Sequence, residues 1–449
     1  MCVGTKYGHA RLMLADLLER IKARLPKSRI VRSVAMLAGG TAMGQIIMIC
    51  AMPIVTRLYS PAQIGVISLF LAFFGFWVVT LSLRYEYALL IARDDAESHV
   101  VHRIAVTIVV VMSMLGLPVL WALQRTNSLG FGLLPDWAPF VAVPIFLGYG
   151  FFMVYRSWAL RAGMVGAITK ASIARSGANA GTQVALGAVG LGVTGLFAAQ
   201  LAASWAPMLK LARGVSKHFA ASKPASMGGG DLLRAARKFA KFPFLETPSA
   251  WIDQLGLTLP LPMVATLHGA TAAGWFGLAR MVASVPNSQI GRAIADVFQM
   301  EFAKAVLAGD KVFARGLFYK FLRKLALIGL LPLAGMMALG PWAVPWVFGN
   351  TWSEAGFAIA AIAPWMYAAL VIGSLSRALS VLQAQEYKFI YDTCAVLLLV
   401  AAFLASRMWN YSFFDTILAI SFAGFLGYVI YGVLLVGVVE LRLKGQRQP

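Results

Sequence analysis

Arg280 lies seven residues into a predominantly apolar run, 273–297, where a charge has no obvious reason to be. A guanidinium held there offers two parallel donors to a phosphate, or a hydrogen bond to a sugar, inside a water-filled pocket. A structural ion pair is the alternative. Asp253 is the nearest carboxylate in the preceding run, but a rise of 1.5 Å per residue sets the two about 12 Å apart in depth, so no direct pair is expected. Asp253 and Glu246 are seven residues apart and share one helix face. Desolvated carboxylates can carry a proton, which makes this pair a candidate for ion coupling, against plain helix-packing roles. Arg57, Arg84, Arg156 and Arg161 fall at the ends of apolar runs. There, capture of an anion at a cavity mouth competes with snorkelling and with orientation signals. Arg292 and Asp296, four apart, are expected to pair with each other.

Other patterns carry little chemistry. Gly190-Leu-Gly-Val-Thr-Gly195 matches a dinucleotide fingerprint but follows no strand, so it reads as a tight turn between helices. His99 and His102 sit in a charged loop without a fixed carboxylate, and Cys2, Cys50 and Cys394 are too scattered for a zinc site or disulfide framework. No cofactor, metal site or catalytic residue is expected, and the basic loops lack the folded modules of nucleic-acid binders.

The elements that position these residues follow from composition. The 449 residues are 60% hydrophobic and 13% charged, with a net charge of +21. That is too apolar for a water-soluble globule and too rich in aromatic and aliphatic residues for a disordered chain. Twelve runs are long enough to cross a bilayer: 33–56, 62–83, 104–123, 137–157, 174–190, 193–212, 244–267, 273–297, 325–346, 356–376, 389–407 and 415–438. Those within 174–212 and 244–297 are the more polar and are expected to face a cavity. With the N-terminus inside, 34 of the 39 basic residues fall on the cytoplasmic side. Residues 10–25 form a basic amphipathic stretch suited to the membrane surface rather than a cleaved signal.

A basic linker around Gly228–Gly230 divides the runs six and six. The expected organisation is an N-terminal cytoplasmic segment 1–32, an N-lobe 33–212, a linker 213–243, a C-lobe 244–438 and a cytoplasmic tail 439–449. Pro53–Gly65 aligns without gaps with Pro262–Gly274, sharing Pro, Val, Leu and Gly, and Leu69 then matches Leu278. Both copies exit the first span of their half in the same direction, which implies a parallel repeat. The fold class is therefore an all-α polytopic membrane protein of about twelve spans, in two six-helix lobes around a central cavity.

The first hairpin, Arg57-Leu-Tyr-Ser-Pro-Ala-Gln-Ile-Gly65, is followed by Leu83-Arg84-Tyr85-Glu86 and Asp94-Asp95. With Lys241-Phe-Pro243 and Gly274-Trp-Phe-Gly-Leu-Ala-Arg280, it resembles the bacterial polysaccharide-biosynthesis flippases of the multidrug/oligosaccharidyl-lipid/polysaccharide (MOP) exporter superfamily, over roughly residues 30–320. That resemblance implies a basic central cavity in the bacterial inner membrane. It also implies transfer of an undecaprenyl-diphosphate-linked oligosaccharide between leaflets, alongside membrane lipids, a polysaccharide polymerase and glycosyltransferases of the same pathway. Three alternatives stand beside it. A multidrug exporter would favour acidic residues in spans one to six, which have none before the loop ends. A peptidoglycan-precursor exporter usually has two more spans. A membrane polymerase or ligase needs a large outer loop, whereas 124–136 carries only Arg125 and Asp136 as charges.

Overall fold

The computed structural model describes residues 29–221 and 229–443, and among them every regular element is helical. The amphipathic stretch 10–25, Gly228 of the linker and the tail beyond 443 lie outside the described residues. Helix α1 (Arg29–Leu58) reverses into α2 (Pro61–Trp77) through a capping box. The Gln63 N–H donates to the Ser60 hydroxyl, the Ser60 N–H donates to the Gln63 side chain, and Pro61 opens the helix. Span two then breaks. Leu83 and Arg84 both adopt left-handed backbone (φ 46° and 65°), an uncommon conformation for such residues, before α3 (Tyr85–Ile91) resumes. Helix α4 (Asp95–Arg125) starts on the Asp94 cap, and a short 3₁₀ segment, Ser128–Leu133, leads to α5 (Ala138–Arg161). Helices α6 (Val165–Ala188) and α7 (Gly192–Ala221) complete the N-lobe, turning at Gly190 (φ 79°) as the glycine spacing implied.

The linker is more helical than its polar composition suggests. Residues 213–221 continue α7, and α8 (Gly229–Lys238) follows. The Lys238 ammonium pairs with Glu97, and the Tyr85 hydroxyl donates to the Ala236 carbonyl at 3.2 Å, so α8 docks on the N-lobe. Spans seven and eight comprise α9 (Thr247–Thr258), α10 (Pro260–Ala283) and α11 (Arg292–Leu307). Wide π-helical turns lie at Phe242–Glu246 and Asn287–Gly291. The reversal between the two spans falls within α10 at Gly269, whose φ of 79° and ψ of −173° belong to a region open essentially to glycine alone. The remaining helices are α12 (Lys311–Phe348), α13 (Ser353–Leu375), α14 (Arg377–Val381), α15 (Glu386–Met408) and α16 (Phe413–Leu443).

Seven helices among the described residues are apolar and long enough to span a membrane. The other five expected spans fall short for visible reasons: span two is broken at 78–84, span seven is divided at Leu259, span eight is interrupted by its π-turn, and α6 and α7 are polar. Three apolar cores hold the bundle together. One joins both lobes at the end carrying the first hairpin, through Phe70, Phe146, Phe276, Trp352 and Ile417. At the opposite end, which carries the linker, the N-lobe has its own core around Leu89, Trp158 and Phe239, and the C-lobe another around Phe298, Phe318 and Leu435. The lobes are thus fused at the hairpin end and packed separately at the linker end.

The repeat explains that fusion. Gly65 and Gly274 occupy equivalent positions, as do Pro61 and Ala270. A Cβ on Gly65 would fall 1.8 Å from the Ala270 carbonyl oxygen, and one on Gly274 1.9 Å from the Pro61 carbonyl oxygen. Residue and partner exchange across the contact, the mark of a two-fold axis. Ser68 also faces its own counterpart, Gly277, with 3.1 Å between its Cβ and one built on the glycine. The Trp352 indole N–H closes the same end by donating to the Thr56 carbonyl at 3.0 Å.

Candidate functional site

A central cavity of about 320 Å³ lies where the two repeats meet. Equivalent residues line it from both sides: Ser68 with Gly277, and Leu71 with Arg280. The cavity is therefore symmetric in backbone and asymmetric in charge. Arg280 on helix α10 lines it, and the guanidinium carbon lies 5.9 Å from the Phe276 ring centre and 5.6 Å from that of Trp365, which lines the adjoining C-lobe cavity. Aromatic faces stabilise a cation without neutralising it. Among the described residues no carboxylate lies within ion-pair distance of Arg280. Amides of Asn179, Gln183 and Gln200 face it from the N-lobe, with Gln183 donating to Asn179 at 3.1 Å. An unpaired cation among amides and hydroxyls is suited to an anion that also bears sugar hydroxyls.

Asp253 stands apart from Arg280, in a C-lobe cavity of about 250 Å³. Lys388 on α15 donates to it at 2.8 Å and to Asp392 at 2.7 Å, so one ammonium bridges two carboxylates and ties span seven to span eleven. Tyr391, Tyr428 and Tyr431 line the same space, with Tyr391 stacked on Tyr431 at 4.0 Å. Glu246 lies on the π-turn, exposed, and lines neither this cavity nor the central one.

The helix-end arginines separate. Arg156 lines a third cavity, about 530 Å³, inside the N-lobe. Arg161 is engaged elsewhere: it donates to the carbonyls of Leu89 (3.3 Å) and Ala92 (2.7 Å) and lies 3.9 Å from Asp95, bracing the turn before α4. Arg84 sits on the break of span two and donates to the Tyr87 hydroxyl at 3.1 Å. Arg57 ends α1 exposed and lines none of the three cavities.

Some sequence expectations need correction. Asp296 pairs with Arg377 rather than Arg292, because α11 packs against α14. His99 and His102 are buried inside α4 against Trp158, at 4.8 and 5.7 Å between ring centres, not in a solvated loop. Span five begins at Val165, nine residues before the predicted start, which brings Arg175 inside the helix. Arg175, Lys388 and Asp392 were not among the predicted site residues. The i,i+4 spacing of Lys388 and Asp392 at the head of span eleven was their only local signal.

Comparison with known proteins accords with this architecture. An inward-facing multidrug resistance transporter of the MATE family, MOP superfamily, superimposes with a TM-score of 0.70 at 15% identity, over 90% of this chain and 96% of that one. The lipid II flippase MurJ in an inward closed conformation gives 0.66 at 10% identity, over 92% and 91%. The class is therefore a two-lobe helical membrane protein that shares the fold of those two proteins. A family profile described as polysaccharide biosynthesis protein matches residues 54–356. The chain belongs to that family. The lipopolysaccharide biosynthesis protein WzxC of Escherichia coli K12 is 33% identical over 108 residues, a stretch covering 24% of this chain and 22% of that protein.

Proposed function

We propose that this protein moves an undecaprenyl-diphosphate-linked oligosaccharide from the cytoplasmic to the periplasmic leaflet of the bacterial inner membrane, for surface polysaccharide synthesis. The observation that carries the proposal is Arg280, an unpaired guanidinium in a cavity on the repeat axis of a polysaccharide biosynthesis family member. A lipid diphosphate needs counter-charge while it crosses hydrocarbon, and Arg280 supplies it from within the apolar run 273–297. The distribution of basic residues supports placing the linker end in the cytoplasm, with both termini there. In that orientation the fused core seals the periplasmic side while the lobes stand separately on the cytoplasmic side.

Transport then proceeds by alternating access. The lobes close at the linker end and part at the Gly65–Gly274 contact, and the diphosphate leaves Arg280 for the outer leaflet. Asp253 is the coupling candidate, since a proton or sodium ion arriving there competes with Lys388 for its carboxylate. Glu246, exposed on the π-turn, is the secondary one. Collapsing each gradient in turn tests both, and transport indifferent to either removes the role. A polymerase and glycosyltransferases of the same pathway would consume and supply the substrate.

Proteoliposomes carrying a fluorescent lipid-linked oligosaccharide test the reading directly. The expected result is protein-dependent exposure of the label to an impermeant quencher. Label exposure no faster than in protein-free vesicles overturns it.

A further inference from the structure

The N-lobe cavity, about 530 Å³, is larger than the one that Arg280 lines, about 320 Å³. Its cations come from neighbouring spans: Arg156 on α5 and Arg175 on α6. Arg175 is the eleventh residue of its helix, about 15 Å from the helix start. Its guanidinium carbon sits 4.6 Å from the ring centre of Tyr149, which lines the same cavity. Among the described residues neither arginine has a carboxylate within ion-pair distance. A charge at that depth without a partner is costly unless an anion or water supplies one.

One carboxylate shares the space. Glu86 is 3% exposed and accepts a hydrogen bond from the Ser82 hydroxyl, while its second oxygen is buried without a hydrogen-bond partner. The cavity's ionisable side chains therefore carry a positive excess. Hydroxyls of Thr41, Ser157 and Ser172 and the Tyr149 and Tyr87 side chains complete walls of mixed polar and aromatic character. Guanidinium forks match diphosphate oxygens, and hydroxyls with flat aromatic faces match a pyranose ring.

We infer that this cavity is a first station for the substrate, where Arg156 and Arg175 hold the diphosphate and the tyrosine-lined wall holds the adjoining sugar before transfer to Arg280. The inference rests on the flippase reading and adds a second, separable binding site to it. A carboxylated sugar would present similar anionic oxygens, so the probes must tell the two apart.

The test uses the full chain in nanodiscs, with undecaprenyl diphosphate and free glucuronate as ligands and intrinsic tryptophan fluorescence as readout. Arg175→Gln and Arg156→Gln should each weaken undecaprenyl diphosphate binding about tenfold or more, the scale of one lost charge-assisted pair. Arg175→Lys should recover most of that loss. Glu86→Gln should tighten binding severalfold, by removing the carboxylate that opposes the anion. Arg280→Gln should reduce transport at least tenfold, by removing the counter-charge of the central cavity. Equal binding by wild type, Arg156→Gln and Arg175→Gln overturns the inference and leaves the Arg280 reading standing if Arg280→Gln still slows transport. Glucuronate binding that depends on Arg175, with undecaprenyl diphosphate binding that does not, overturns the diphosphate assignment. A wild type that neither binds nor moves the lipid diphosphate overturns the inference together with the flippase reading.

Discussion

At the residue scale, two cationic arrangements in neighbouring cavities behave differently because of their partners. Arg280 rests on aromatic faces and keeps its charge available, so its guanidinium geometry should matter. Arg280→Ala is expected to reduce transport at least tenfold, with Arg280→Lys retaining part of it, measured as the rate of label exposure in vesicles. Equal rates in all three proteins would make Arg280 a packing residue. Lys388 is instead committed to two carboxylates, of which the Asp392 side chain is only 6% exposed. Lys388→Ala strands that buried carboxylate and should destabilise the fold by about 1–3 kcal/mol. Asp253→Asn leaves the Lys388–Asp392 pair in place and should cost less. Thermal unfolding of the two variants checks the order, and a reversed order would contradict the bridge. Neither role was readable from residue type alone. Asp253 was identifiable as a charge in an apolar run, but its partner lies 135 positions away.

At the element scale, the glycines on the repeat axis allow α2 and α10 to approach to backbone contact. Bulk at Gly65 or Gly274 must push the lobes apart at the hairpin end. A cysteine pair at Ser68 and Gly277, in a background lacking Cys2, Cys50 and Cys394, should cross-link readily and stop transport until reduced. Failure to cross-link, or transport unaffected by the cross-link, would contradict a gate at this contact. The repeat was visible in the sequence as four identities in thirteen positions. That its two copies touch each other was not, since a repeat specifies equivalence and says nothing of contact. The docking of α8 is an electrostatic matter outside the membrane. Burial raises the Glu97 pKa, but the Arg93 backbone N–H and the Lys238 ammonium outweigh it and hold the carboxyl below its ordinary 4.5. A depressed acid stabilises the folded state above the unfolded pKa and loses that contribution as pH falls through the folded one. Hydrogen exchange across α8 should therefore accelerate as pH drops below about 4.5 relative to a Lys238→Met variant, after correction for intrinsic exchange. An unchanged difference between the two proteins would dismiss the pair.

At the scale of the whole molecule, the lobes share one core at the hairpin end and keep separate cores at the linker end, which in the proposed orientation is a state open toward the cytoplasm. Reporters fused after residue 443 and inserted within 126–137 should respond from opposite sides of the membrane, the former from the cytoplasm. Same-side signals would overturn the assigned orientation. Hydropathy and charge patterning were enough to derive the helical class, the two-half organisation and the approximate spans, because a bilayer selects segments by local composition and length. Segment ends were less legible. The left-handed break at Leu83–Arg84 and the reversal at Gly269 follow from backbone conformations that hydropathy does not register. Which charges share a cavity was settled by packing, because Arg156 and Arg175, or Asp253 and Lys388, meet only when separate helices of one lobe come together.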